Sequence, residues 1–403
     1  MQKEIDDILL VGAGLTGLAF CNLLKDTKIK ISIIDIHSKE FYNDVNIDRY
    51  IVLSNTSKII LQSMGLWDNI QQYCSKVKNI HISKKNIFGS AIVRSEDENL
   101  ESLGYQIPVT NLINILYKNI KNSKNINFIY KSTVNRIEKG EAVKIHYVCE
   151  EKEKEHFSKS IIFSSGSIDS LINPFFKNKI EKDYQQNAVT CEITTNKYNS
   201  DTAYERFTSN GVLGVIPRKK NVWTLIYSVD NRETNIIKKL NTNEAIDYFQ
   251  DLLGSKCGLF KEVKNIKSYP LKLSYYRNFT KENMCLLGDA AHTLHPIAAQ
   301  SFNLSLRDCA YLTSIIKNDK LNKKNDFSEI FSIYFDNRKK EMNRLVRFTD
   351  VLASFLHGKG IIQNKILGFI LLFMDTNKNA RVNIIRYLLG VNFSQSLLST
   401  LKE

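Results

Sequence analysis

Residues 8–35 constrain this chain most. Ile8–Val11 is short and wholly apolar, as expected of a strand covered on both faces. Gly12, Gly14 and Gly17 follow in GxGxxG spacing, and Leu18, Ala19, Leu23 and Leu24 continue at helical period. Ile31–Ile34 is a second apolar run, and it ends in Asp35. Strand, glycine turn, helix, strand and terminal acid in this order predict a βαβ unit that holds a dinucleotide. Gly12 permits the tight turn and Gly14 lets the backbone approach a pyrophosphate. Gly17 lets the helix lie close on the strand, so that helix amides face the phosphates. Asp35 stands where a carboxylate would take the ribose hydroxyls of the adenosine half. The spacing is compatible with NAD and with FAD.

A βαβ unit accounts for a small part of 403 residues, a length that suits roughly two domains. Hydrophobic content of 43% and charged content of 24% exclude a disordered or collagen-like chain. The formal net charge of +14 is spread along the sequence, in step with heavy use of Lys, Asn and Ile. No nucleic-acid motif accompanies it, so the reading is no nucleic acid, while an anionic membrane surface stays compatible. The seven cysteines form no CxxC pair and no ligand cluster, which points to free thiols in a reducing cytoplasm and to no metal. MQKEIDD runs straight into the first strand without a signal-peptide pattern. No apolar run approaches the length of about 18 residues that spans a bilayer.

Further along, Leu112–Ile120 predicts an amphipathic helix, and Ile126–Tyr130, Ser132–Ile137, Val143–Cys149 and Ser160–Ser164 predict strands. The charged EEKEKEH between the last two reads as an exposed loop. β-type segments then run from Ala188 to Leu273, broken by one helix near Thr242–Leu253, and from Asn303 onward the pattern is helical. The expected fold is α/β: a Rossmann-like domain with a parallel sheet, an inserted, mainly antiparallel β substrate domain, and a helical C-terminus. The domain division is 1–75, 100–180 and 275–345 for the cofactor, 76–99 and 181–274 for the substrate sheet, and 346–403 for C-terminal helices. Those helices, dense in apolar residues between Lys and Arg, would pack on the core or dock on a membrane surface.

Residues 284–312, MCLLGDAAHTLHPIAAQSFNLSLRDCAYL, form the second informative stretch. A buried strand ending in Gly288-Asp289 puts a carboxylate at the sheet's C-terminal edge, where open α/β sheets bind ligands. There it can accept hydrogen bonds from vicinal hydroxyls, or it can serve as a helix N-cap. Pro296 stiffens the turn, and the following helix start can offer backbone N–H groups to negative charge. His292 and His295 flank the motif, in structural or cofactor-positioning roles or as a base.

GDAAHTLHPIAAQSFNLSLRDCAYL resembles the second FAD motif of the aromatic flavoprotein monooxygenases, the p-hydroxybenzoate hydroxylase class. Its His-Pro-Ile-Ala and Asn-Leu-Ser-Leu-Arg-Asp pieces are similar to those of the ubiquinone-biosynthesis flavin hydroxylases. So are the strand Asp48-Arg49-Tyr-Ile-Val-Leu-Ser and the sheet segment Tyr204-Glu205-Arg206-Phe207-Thr208 with Gly211 and Ile216-Pro217. The resemblance implies FAD held by Gly12, Gly14, Gly17 and Asp35 at its ADP half, Arg49 near its middle, and Gly288 and Asp289 at the ribityl chain. Val134, Ala299, Gln300, Ser301 and Asn303 complete the implied cofactor set. His295 and Pro296 are the implied catalytic neighbours of a flavin that itself carries the chemistry.

The implied reaction is hydroxylation of a polyprenylated phenol or quinone precursor with O2, and NAD(P)H or an electron-transfer partner as reductant. Other quinone-biosynthesis proteins are the implied partners, and the inner face of the cytoplasmic membrane the implied site of peripheral attachment. Glu205-Arg206 would bind substrate or form an ion pair on an exposed sheet face. Two positions depart from the family pattern. Ala299-Gln300-Ser301 stands where Gly-Gln-Gly is usual, and Ser165 stands where an Asp is usual. They motivate an alternative: a catalytically weak scaffold subunit of a biosynthetic complex.

Overall fold

The N-terminal βαβ unit forms from β1 (Asp6–Val11), α1 (Leu15–Leu24) and β2 (Ile31–Ile34). β1 is central: it runs parallel to β2 on one side and to the end of the strand Lys152–Phe163 on the other. That strand is parallel in turn to Met284–Leu286, and β2 to Ile126–Ile129. Burial on both faces explains why these strands read as continuous apolar runs. Their carboxyl ends share one edge, so Gly12, Asp35, Ser164 and Gly288, far apart in sequence, emerge side by side. Helix α1 lies tightly on this sheet. A Cβ on Gly17 would stand 2.2 Å from the Gly12 carbonyl oxygen, which no other residue tolerates.

The computed structural model describes residues 5–140, 142–166, 168–198, 201–294, 300–318 and 326–356, with 372–373 and 375–379. His295, Pro296 and Ala299 lie outside the described residues, as does most of the C-terminal region after 356.

EEKEKEH is not a loop. Glu150 and Glu151 both have positive φ and turn the chain, and Lys152–His156 forms the outer half of a long strand paired with Val143–Cys149. This half lies beyond β1, so solvent reaches both of its faces and no apolar alternation marks it.

The second sheet has eight strands, ordered His292–Thr293, Phe260–Tyr276, Lys179–Thr195, Val222–Asp230, Gly211–Pro217, Thr202–Phe207, Asn79–Lys84 and Ser90–Arg94. Its pairings are antiparallel except that Thr202–Phe207 runs parallel to Asn79–Lys84. One face carries a core of its own, with Val189, Leu213, Leu225 and Tyr227 inaccessible beneath the helices Asn231–Ile237 and Thr242–Leu253. The second helix follows its sequence pattern. The first, capped by Asp230 on the Glu233 amide, carried no signal long enough to read.

The opposite face turns toward the cofactor half. Arg218 pairs with Glu192, donates from Nε to Thr224 Oγ1 at 2.7 Å, and lies 3.7 Å over the Tyr50 ring. Tyr50 opens the strand Tyr50–Ser54, part of a three-stranded sheet with Gly104–Pro108 and Ser75–Val77.

Two helices, Gln300–Ile316 and Phe327–Leu356, follow. Buried charges fasten them. Asp308 accepts from Arg338 Nε at 2.8 Å and faces His292 Nε2 at 2.9 Å; Glu341 accepts from Arg307 Nε at 3.1 Å and pairs with Arg338. Burial works against the Asp308 charge, yet Arg338 and His292 hold its carboxyl below the usual range. Removing one member would leave a buried charge uncompensated, at a cost of about 3–5 kcal/mol. His292 and the Arg307-Asp308 pair are thus framework. No helix among the described residues is long and apolar enough to cross a membrane.

Candidate functional site

A cavity of about 480 Å³ opens at the shared carboxyl edge of the parallel sheet. Gly12, Gly14, Asp35, Arg49, Val134, Asp289 and Ser301 all line it. The two segments singled out by sequence meet on one space.

At one end the glycine turn is fully shaped. Gly12 has φ +103°, and Ser165 crosses close behind it: a Cβ on Gly12 would stand 2.9 Å from the Ser165 Cβ. Gly14 differs, for a Cβ there would meet nothing within 4 Å. Its lack of a side chain serves the cavity and not the packing, as a backbone approached by a phosphate requires. Asp35 is buried, with Oδ2 accepting the Ala13 amide at 2.6 Å and Oδ1 accepting the His37 amide at 2.8 Å. The His37 ring also faces Oδ1, at 2.7 Å, and stacks on Phe41.

Tyr42 escaped the sequence reading. It lines the cavity, is 1% exposed, and its hydroxyl meets the distance and angle of a hydrogen bond with no described residue. Burial and the nearby Asp35 charge raise the pKa of that hydroxyl, so it remains a donor throughout the neutral range. A buried donor beside the acid at the end of β2 suits the hydroxyls and ring nitrogens of an adenosine. The only sequence signal was an aromatic pair, Phe41-Tyr42, shortly after that acid. Thr133, on the strand Ser132–Glu138, lines the cavity from across the sheet edge.

At the other end, Asp289 is exposed, and among the described residues its carboxylate accepts from Ser301 Oγ at 3.3 Å. It lies inside the short turn Gly288–Ala290, which follows the strand Met284–Leu286.

Gly17, Gly288 and Asn303 do not line the cavity. Gly17 serves the helix–strand contact. Gly288, at φ +62°, packs so close to Thr16 that a Cβ would come within 2.6 Å of its Oγ1. Asn303 is a buried tie: Oδ1 accepts from the Ser54 amide at 2.9 Å and Ser57 Oγ at 2.6 Å, and Nδ2 donates to the Val52 carbonyl. Gln300 begins the helix after Asp289. Glu205 and Arg206 do not pair. Arg206 donates to the Leu252 carbonyl and to Ser83 on one face of the sheet, and Glu205 points from the other.

Comparison with known proteins agrees with this geometry. Residues 6–349 match the model of the FAD binding domain family. The ubiquinone hydroxylase UbiM of Neisseria meningitidis is 24% identical over 317 residues, covering 77% of this chain and 68% of that protein. The mitochondrial ubiquinone biosynthesis monooxygenase COQ6 of Schizosaccharomyces pombe is 23% identical, covering 84% and 82%. Among solved structures, p-nitrophenol 4-monooxygenase PnpA of Pseudomonas putida superimposes with a TM-score of 0.78 at 13% identity, over 97% of this chain and 99% of that one. With its glycine turn, its paired carboxylates and a family match over most of its length, the chain belongs to the FAD binding domain family and is an FAD-dependent monooxygenase.

Proposed function

We propose that the protein hydroxylates the aromatic ring of a polyprenylated phenol or quinone precursor in ubiquinone biosynthesis. The observation that carries this reading is the meeting of Gly14 and Asp289 on one cavity. The names of the similar proteins supply the substrate class.

In this reading bound FAD would supply electron transfer from a reductant and activation of O2. The chain does the rest. Backbone N–H groups at the start of α1 hold the pyrophosphate, with Gly14 leaving the room for it. Asp35 fixes the glycine turn by its bond to the Ala13 amide, and Tyr42 donates to the adenosine. Asp289 accepts from the ribityl hydroxyls, and Arg49 sits at the cofactor's middle. The face of the second sheet that Arg218 joins to Tyr50 would cover the ring and limit water, which would divert the reaction to peroxide. NAD(P)H or an electron-transfer partner is the proposed reductant. Other quinone-biosynthesis proteins and a membrane surface that presents the lipid-tailed substrate are the proposed partners.

The test is complementation of a strain that lacks a quinone-ring hydroxylase. The native chain should restore the quinone and clear the accumulated intermediate, and a Gly14→Val, Asp289→Ala double variant should not. Equal rescue by both would exclude flavin chemistry and leave the scaffold reading, which the Ser165 and Ala299-Gln300-Ser301 departures favour.

A further inference from the structure

Glu205 stands on the strand Thr202–Phe207, and ladder pairing fixes which way it points. Its cross-strand neighbours are Ile82 on one side and Gly214 on the other, and Gly214 is paired in turn with Ile226. Side chains opposite one another in a ladder share a face. Glu205 therefore lies on the face of Thr224 and Glu192, which Arg218 joins to Tyr50 of the cofactor half. Tyr50 is flanked by Arg49 and Ile51, both on the cofactor cavity. The other edge of the same sheet is bound to His292–Thr293, three residues beyond Asp289. The face carrying Glu205 is thus the one turned toward the cofactor half.

Its surroundings are small and apolar: Ala203, Phe207, Val212 and Gly214 lie around it, and the nearest approach from Gly214 leaves the carboxylate room. No described residue makes a hydrogen bond or ion pair with it. From Asn79–Lys84 the charged group on this face is Lys84, buried beside Phe207 with its pKa lowered by that burial. Gly211–Pro217 offers no titratable side chain. Burial pushes the Glu205 carboxyl up to about 7. An acid kept unpaired on an apolar sheet face costs stability, and such a cost is characteristic of a group that acts on a ligand.

We propose that Glu205 is a catalytic residue that accepts the proton of the substrate's ring hydroxyl. This role rests on the hydroxylase reading above. The O–H bond of the phenol breaks, its electron pair stays on the ring oxygen, and the proton passes to a Glu205 carboxylate oxygen. The phenolate that results is the more electron-rich ring; one atom of O2 would enter it in place of a ring hydrogen, which leaves as a proton, and the other would leave as water with two electrons from the reductant. The apolar tail of the substrate would lie along Phe207, Val212 and Ile226. Gly214, opposite the carboxylate, keeps that position free of a side chain.

The experiment uses holoenzyme reduced with dithionite, mixed with O2 and 2-geranylphenol, with hydroxylated product and hydrogen peroxide measured between pH 5.5 and 9. The native protein should form product at a rate that rises with pH through about 7. Glu205→Gln should keep its FAD, lose that pH limb, and slow by about 10²–10⁴-fold, with oxygen consumption passing to peroxide. Glu205→Asp should restore part of the rate and a shifted limb. Native-like rate and pH profile in Glu205→Gln would overturn the role while leaving the hydroxylase reading intact. No product from the native protein would overturn the hydroxylase reading itself, and this role with it.

Melting curves add a check that needs no turnover. A carboxyl raised in the folded state stabilises most below its unfolded pKa, and that stability is lost as pH rises through about 7. Glu205→Gln should therefore melt higher than the native protein at pH 8, by more than it does at pH 5. Equal melting at both would show that the carboxylate is not held out of water, and would overturn the proposal.

Discussion

The two ends of the cofactor cavity each present an aspartate, and they are built on opposite principles. Asp35 is buried and its oxygens are already occupied, by the Ala13 amide and by His37. It works as a brace that gives the glycine turn its shape before any ligand arrives. Asp289 is exposed and holds one long contact with Ser301. Its exposed carboxylate stands open to the cavity. One end is prepaid in folding and the other is completed by binding, so identical residue types should respond differently to the same mutation.

Gly14→Val sharpens the contrast most. The chain has space for the new side chain and the cavity does not, so the apoprotein should fold while flavin affinity falls by about 100-fold or more. Full flavin occupancy in the purified variant, read from its visible spectrum, would remove the glycine turn from the site. The two aspartates come next. Asp35→Ala strands a buried amide, which should cost the apoprotein about 1–3 kcal/mol as well as weakening flavin. Asp289→Ala should leave apoprotein melting unchanged and lower flavin affinity about ten- to hundredfold. Calorimetric titration with FAD beside melting of the apoprotein separates the two cases, and the same pattern in both variants would break the comparison. Tyr42→Phe should be the mildest: about fivefold weaker FAD binding and no loss of apoprotein stability, because the hydroxyl meets hydrogen-bond geometry with no described residue. A destabilised apoprotein there would mean that the hydroxyl serves the fold.

The glycine turn and the place of Asp35 were legible in the sequence; the bond from Asp35 to the Ala13 amide, where a ribose ligand was expected, and most of the surroundings were not. GxGxxG and the acid after the second strand are local, and their spacing encodes their geometry. Leu286-Leu287-Gly288-Asp289 was legible too, because a short apolar run ending in Gly-Asp implies a strand end. Tyr42 and Thr133 reach the same cavity only through tertiary packing, and nothing in their immediate neighbourhoods marks them. Asn303 misled for a related reason. A polar residue in a cofactor motif invites a ligand role, yet its side chain is consumed by Val52, Ser54 and Ser57, in a segment on the far side of the chain. Lys152–His156 misled differently: a strand wet on both faces has the composition of a loop.

The tie made by Asn303 has a consequence for how this protein comes into being. Asn303 and Ser54 are 249 residues apart, and at 5–20 residues per second a ribosome needs roughly 10–50 s to synthesise what lies between them. For roughly 6–24 s of that interval Ile161–Phe163 waits for Met284–Leu286, and the nascent sheet shows a bare, apolar edge of the kind that recruits other chains. The glycine turn can meet a nucleotide early, but nothing can close over it until the last strand and the helix after it have left the tunnel. Both ends of the cofactor cavity thus exist together only once the segment from Met284 to Asp289 has been made.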